Sequence, residues 1–517
     1  MQQNDSLVRG LQGNIVESPA YLTVYLALTM TVLLSLCLTL IEGVRFNAIQ
    51  LETECISDIA FNSMLAEYHR ELYEQYNIFG LDVSYGTDYS TRENAERHFM
   101  QYAERNMSTE DVFLSDWIYR DFLGLKPLEV EITGVSLLTD ENGLVFRRQA
   151  VAAIKEDVGI GLLEDLQEWL SVVEEKDLLE RNIAEEKKAA DEEIEEIIEE
   201  EEEEEEEEFF EKTGVKKNVS ISFDNPTEDI DRLREKGVLE YLVGNSFVLS
   251  EKYIIVDSLI GERMKREDIS KGNLPVRKNA WLPEHTTQVE KWGGELLERF
   301  FFQEYLVRYM GNFMEQKEDS ALQYQVEYLI AGKDNDLDNL VNVLLRICLI
   351  REVANVVYLY SDEVKCMEAE LIAQALAYLC HVPDIAPVLK ESLLFAWAFF
   401  ESIHDVGVLL NGGRVPLIKS SETWFYNIDQ MLALEIIESN FQKEGLCYED
   451  YLRIFMTITD VDVLTERAMN MIEADIRKTP GNRNFRLDAC YDKVHLRMKV
   501  KSDYGYEYEV TGQKGYY

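Results

Sequence analysis

Proline is scarce in this chain, nine in 517 residues, and none occurs between Pro19 and Pro127. Together with only 27 glycines, that excludes a collagen-like or Pro-rich fibre. The seven cysteines, at 37, 55, 348, 366, 380, 447 and 490, include no CxxC pair. An odd, scattered set is neither a disulfide framework nor a zinc site, and it points to buried free thiols. Basic residues are outnumbered, 51 Lys plus Arg against 98 Asp plus Glu, for a formal charge of −47. Phosphate backbones are held by Lys and Arg, so nucleic acid is not an expected partner. Absent as well are HExxH, GxSxG, a Walker A loop and a GxGxxG followed by its acid. No motif names a reaction, so no catalytic, cofactor-binding or metal-ligating residue is assigned, and no cofactor is expected.

What the chain has is 46% hydrophobic residues, too many for disorder throughout. One segment, 20–41, is 22 residues long and carries no charge. At ~1.5 Å per residue it makes a helix of about 33 Å, matching a hydrocarbon core. Pro19, Tyr21 and Tyr25 at its entry, with Glu42 and Arg45 at its exit, suit the two interfaces of a bilayer. A cleaved signal peptide fits less well, because the apolar run is too long and 40–45 offers no small-x-small site. The expectation is a single-pass protein of the cell membrane, with the lipid bilayer as its first partner. Lys and Arg are balanced across the span, so charge does not orient it. The best candidate for a second span, 393–400, is short and bracketed by Glu391 and Glu401.

Helical spacing continues beyond the bilayer through Val44, Ala48, Leu51, Cys55 and Ile59, then Leu65, Tyr68, Leu72 and Tyr76. One unbroken helix from 20 to 76 would reach about 85 Å. Leu128, Val130 and Ile132 alternate as a short strand that Gly134 should weaken, and Asp140, Glu141, Asn142 and Gly143 read as a turn. A helical pattern follows from Val145 to about Glu211, ending in ten consecutive glutamates, 199–208. Like charges repel at i,i+4, so this end should be a fraying or coiled-coil helix or a disordered insert, not a calcium site. Val219, Ile221 and Phe223 alternate as a strand, and helices dominate from Thr286 to about Leu410, with core helices at 340–360 and 369–379. Near the C-terminus Val494, Leu496, Met498 and Val500 alternate with charged residues. The chain resumes the pattern at Tyr506, Tyr508 and Val510. A three-residue loop Asp503, Tyr504, Gly505 would set Lys501 opposite Glu507, Lys499 opposite Glu509 and Val500 opposite Tyr508. The Tyr-rich edge could add a strand to a partner, with an internal sheet as the default.

The fold class expected is therefore α+β, mostly helical: a transmembrane helix continuing as a long helix, a helical bundle, and small antiparallel β elements including a C-terminal hairpin. The organisation reads as a tail at 1–19, the span at 20–41 and a helical stalk opening the globular region at 42–125. A strand plus long Glu-rich helix follows at 126–215, then a mixed connector at 216–285, the bundle at 286–478 and the hairpin at 479–517.

Several stretches carry a resemblance. They include 21–28 (YLTVYLAL), 40–45 (LIEGVR), 66–72 (AEYHREL), 75–82 (QYNIFGLD), 146–150 (FRRQA), 328–334 (YLIAGKD), 350–355 (IREVAN) and 412–419 (GGRVPLIK). Across most of its length the chain resembles an uncharacterised family of large single-span membrane proteins from Firmicutes, associated with tight-adherence (Tad) pilus or secretion genes. Its first segment is similar to TadE/TadG-type pseudopilins. The resemblance implies a long helix half in the membrane and half in a domain, other pilin-like or secretion-system membrane proteins as partners, and a large domain outside the cytoplasmic membrane. It carries no active site. Gly13 is followed by an acid at the fourth position rather than the fifth, and Ser18 and Pro19 intervene before the apolar run, so an uncleaved anchor is expected.

Two clusters carry ligand-type side chains. Asp334, Asp336 and Asp338 have the spacing of a calcium loop, but Asn339 stands where the sharp turn needs Gly and Leu345 where a bidentate Glu is required. They read instead as the cap and first turn of a helix. His404 and Asp405 beside Glu401 could form an acid/base set, although a packed histidine on an apolar helix is the plainer reading. The function expected is a non-enzymatic structural or assembly component of a Tad-like pilus or secretion system. The alternatives are a membrane-tethered cell-envelope enzyme and a cytoplasm-facing coiled-coil scaffold.

Overall fold

The computed structural model describes residues 20–107, 123–157, 183–213, 249–276, 294–434 and 444–516, with positions 220, 226, 227, 230 and 232. The tail 1–19 with Gly13, and the strand expected at Val219, Ile221 and Phe223, lie outside the described residues. In chain order the elements are α1 (Ala20–Leu65), α2 (Arg70–Tyr76), β1 (Leu81–Asp82), α3 (Arg92–Met107), β2 (Leu125–Leu137), α4 (Asp140–Asp157), α5 (Ile183–Thr213), α6 (Ile260–Lys265), α7 (Gly294–Tyr309), α8 (Gln325–Ala331), α9 (Asp336–Ser361), α10 (Glu363–Leu379), α11 (Ala386–Leu410), α12 (Ile428–Leu432), α13 (Tyr448–Ile458), α14 (Val461–Lys478), β3 (Cys490–Ser502) and β4 (Glu507–Gly515). The class is α+β and mostly helical, with a long apolar N-terminal helix and one small antiparallel sheet.

Helix α1 runs for 46 residues, through Gly43 without interruption. Its apolar segment is not buried by any other described element, and Thr31 and Thr39 return their hydroxyls to carbonyls four residues back at 2.7 and 2.8 Å. Past that segment a single face turns inward, carrying Ile49, Thr53, Ile56, Ala60, Phe61 and Met64 at helical spacing. The expectation of an unbroken helix to Tyr76 is corrected. The chain turns after Leu65, and α2 begins afresh where His69 Nδ1 accepts from the Leu72 amide at 3.2 Å. Apolar spacing persists across the break because Leu72 and Tyr76 serve the bundle core, whereas Phe61 and Met64 serve the sheet.

Strand β3 is the spine of the sheet. β2 pairs with one edge, while β4 and the two-residue β1 share the other. Gly134 does not end β2, which continues to Leu137 past an irregularity between Ile132 and Gly134. The glycine admits a neighbouring loop: a Cβ there would lie 2.6 Å from Leu274 Cδ2, and Asn273 Oδ1 accepts from the Val135 amide at 2.8 Å. The hairpin has the expected register, Lys501 to Glu507, Lys499 to Glu509 and Val500 to Tyr508, with Gly505 at φ +83° in the loop. Val494, Leu496, Met498 and Val500 face a core shared with α1 and α3. The opposite face is a ladder of ion pairs, including Lys499 with Glu129 at 2.9 Å and Arg497 with Glu131.

The bundle is built on α9 and α11. The latter is apolar and long enough to cross a membrane, but 83% of that stretch is buried by protein, so it is the bundle's central helix. The expectation of a core helix at 369–379 is corrected: α10 buries only Ala369, Ala373 and Ala377 and exposes Leu371, Tyr378 and Leu379. Its alanine stripe allows close approach to α11, and total apolar content overstates its burial. Helix α5 stays helical through Glu199–Glu208. Ile194 packs with Leu389 and Leu393, so the apolar half anchors a helix whose glutamate half could not bury itself.

Candidate functional site

Among the described residues one group of three metal-type ligands converges, Glu401, His404 and Asp405, with ligand atoms within 4.8 Å of one another. Helix α11 places all three, since residues three and four apart share a face. The sequence singled out the same residues, but two cations it did not connect complete the cluster. Lys419 reaches the Glu401 carboxylate and lies 2.6 Å from Asp405 Oδ1. Arg351, fully buried on α9, donates to Asp405 Oδ2 from Nε at 2.9 Å and to the carbonyls of Pro416 and Leu417 at 2.9 Å. Asn355 adds a bond to Asp405 at 3.1 Å, and the amides of Phe425 and Tyr426 donate to Glu401 at 2.9 and 3.0 Å.

Two carboxyl groups and two cations thus meet inside the protein, and burial holds the Glu401 carboxyl above its usual range despite the Lys419 ammonium beside it. Burial alone would raise Asp405, but the Lys419 ammonium and Arg351 guanidinium outweigh it and hold that carboxyl below its usual range. His404 stacks on Phe425, ring centroids 4.1 Å apart, and neither ring nitrogen has a hydrogen-bond partner among the described residues. Burial pushes the imidazole down to about 4, so it is neutral at physiological pH. Lys419 occupies the position between the carboxylates that a metal would need, and its side chain is only 1% exposed. Chemically the cluster is an ionic tie joining α9, α11 and the loop 414–426. Two clefts of about 580 and 690 Å³ flank residues 253–256, and neither includes a member of the cluster.

The three aspartates do not converge on an ion site. Asn335 caps α9 by accepting from the Asp338 amide at 2.8 Å, while buried Asp336 accepts from the amides of Gln323 and Tyr324 at 2.9 and 3.0 Å. Of the cysteines, Cys348 and Cys490 are buried and Cys37 lies within the apolar segment, whereas Cys55 lies exposed on α1, which corrects the expectation of a buried thiol there.

The second constellation is the seam between α1 and β4. Tyr506 Oη donates to Glu42 Oε2 at 2.6 Å, Tyr508 Oη to Glu54 Oε1 at 3.0 Å, Lys514 Nζ to Asn62 Oδ1 at 3.1 Å, and Tyr516 Oη to the Leu65 carbonyl at 2.7 Å. The order of these contacts means that β4 runs beside α1 in the same direction, away from the apolar segment. The hydroxyls of Tyr506, Tyr508 and Tyr516 are thus committed to α1, while the backbone of β4 pairs with β3. Sequence reasoning missed this seam because its partners are more than 450 residues apart.

No curated protein and no solved structure matches the chain. One family model does, over residues 216–502, which spans the bundle and β3. That is more than half of the 517 residues, and the chain belongs to that family, described as a family of unknown function (DUF5702).

Proposed function

We propose that the protein is a non-enzymatic, membrane-anchored structural or assembly component of a Tad-like pilus or secretion apparatus, pseudopilin-like, with its large domain outside the cytoplasmic membrane. The observation that carries this reading is the continuity of α1, whose first half is apolar and unburied and whose second half packs on an antiparallel sheet. An anchor fused rigidly to its domain transmits position, which suits assembly better than a flexible tether. Val44, Leu51 and Ile59 add support: they lie 68%, 64% and 47% exposed on the side of α1 away from the sheet, in line with the apolar segment. Such a stripe suits a second helix rising from the same membrane, through packing at heptad-like spacing.

The test is crosslinking in native membranes through a photoreactive residue at position 51, followed by affinity capture of the full chain. Recovery of pilin-like or secretion-system membrane proteins is the expected result. Recovery of none overturns the proposal.

A further inference from the structure

The end of the sheet nearest the apolar segment has a chemistry of its own. There the loop Asp503–Tyr504–Gly505 of the β3–β4 hairpin comes against the first turns of α1 beyond Ile41. Arg45 lies 3.8 Å from the Tyr504 ring centroid, Phe46 meets Tyr506 edge-on at 6.3 Å, and Tyr506 Oη holds Glu42 at 2.6 Å. Tyr504 is nevertheless 49% exposed and Phe46 44%. Among the described residues the charges at this tip are paired locally: Arg45 with Glu42 at 2.8 Å, Lys126 with Asp503 at 2.9 Å and Lys501 with Glu507 at 3.2 Å.

We infer that this hairpin tip seats in the phospholipid headgroup layer, with Tyr504 and Phe46 as interfacial anchors, so that the domain stands directly on the membrane rather than on a stalk. The inference rests on the reading of α1 as a membrane anchor. If the hydrocarbon core ends near Ile41, then Phe46 lies about 7 Å further along the axis, and the headgroup layer is about 5–7 Å thick on each side. Aromatic rings with a polar handle favour that zone. The rigid α1–β4 seam fixes the depth of the tip, since the contacts of Tyr506, Tyr508 and Tyr516 leave the sheet no freedom to tilt away. Because the described charges at the tip cancel in pairs, the partner inferred is the interface of any bilayer rather than an anionic lipid.

The experiment places a benzophenone amino acid at position 30, 504 or 89 of the full chain in vesicles of phosphatidylcholine, with and without phosphatidylglycerol. Irradiation is followed by mass spectrometry for a mass shift of one phospholipid. Position 30 reports the span, and Tyr89 is an exposed residue near the far end of the sheet. Adducts at 30 and 504 but not 89, in both lipid mixtures, are expected. An adduct at 30 without one at 504 overturns the docking while leaving the anchor standing, and none at 30 removes the anchor itself. Adducts at all three positions, or at 504 only with phosphatidylglycerol, also contradict the inference.

Discussion

Gly512 on β4 lies against α1, where a Cβ would fall 2.7 Å from Phe61 Cε2 and 3.4 Å from Cζ. Phe61 cannot yield easily. It is 1% exposed and edge-on to Phe99 at 5.0 Å, so its ring is held from behind by α3. Gly512→Ala should therefore overpack the seam at a cost of roughly 1–3 kcal/mol. That converts to roughly 5- to 150-fold faster exchange for amides that exchange by opening of the seam. The assay is hydrogen exchange read by mass spectrometry on peptides covering 49–61 and 507–515, with the full chain in lipid nanodiscs. Phe61→Leu removes the obstructing ring edge, so Gly512→Ala should add little in that background, and the double-mutant cycle should show coupling. A penalty of the same size with Leu at 61, or no effect of Gly512→Ala on these peptides, would refute the claim that α1 and the sheet form one packed unit.

Other expectations follow from the bundle. Arg351→Met leaves Asp405 buried with one cation fewer and should destabilise the bundle by about 3–5 kcal/mol, seen as a lower midpoint in thermal unfolding; an unchanged midpoint would mean the tie contributes nothing. His404 is held down to about 4 in the folded protein against an ordinary 6.5, so the unfolded chain takes up the proton first. The neutral imidazole's contribution is thus lost as pH falls from 6.5 toward 4, by up to about 3 kcal/mol. His404→Phe, which keeps the stack on Phe425, should flatten that region of the stability profile, and identical profiles would contradict it. Glu203→Lys should replace repulsion with attraction at i,i+4 to Glu199, slowing amide exchange in α5 by an amount equivalent to about 0.5 kcal/mol. Faster exchange would show that the glutamates are not held as a helix.

Local patterns were legible wherever neighbours in sequence decide the structure. The hairpin register follows from alternation and a glycine in the loop, and the first-turn acids of α9 from its Asp residues, with Asn335 beside them as the cap. The long apolar N-terminal helix needed only a run of uncharged residues. What escaped was long-range. The helix break at Leu65 is invisible to periodicity because residues on both sides of it are apolar for different cores. Gly134 weakens an isolated strand, yet here it accommodates Leu274, a contact no spacing rule contains. The cluster on α11 was half legible: Glu401, His404 and Asp405 share a helical face, but Arg351 and Lys419 arrive from other elements and turn an acid/base candidate into a buried ionic tie. The α1–β4 seam joins the two ends of the chain, so neither end alone discloses it.

The central claim is that a large domain, rigidly joined to its anchor, stands outside the cytoplasmic membrane. Tyr89→Cys in a Cys55→Ser background tests this, because position 89 is 75% exposed and lies off the α1 stripe offered to a second helix, whereas Cys490 is buried. A membrane-impermeant maleimide applied to intact cells should label position 89 at once and Cys490 only after denaturation. Labelling of position 89 only after permeabilisation would place the domain in the cytoplasm and contradict the account.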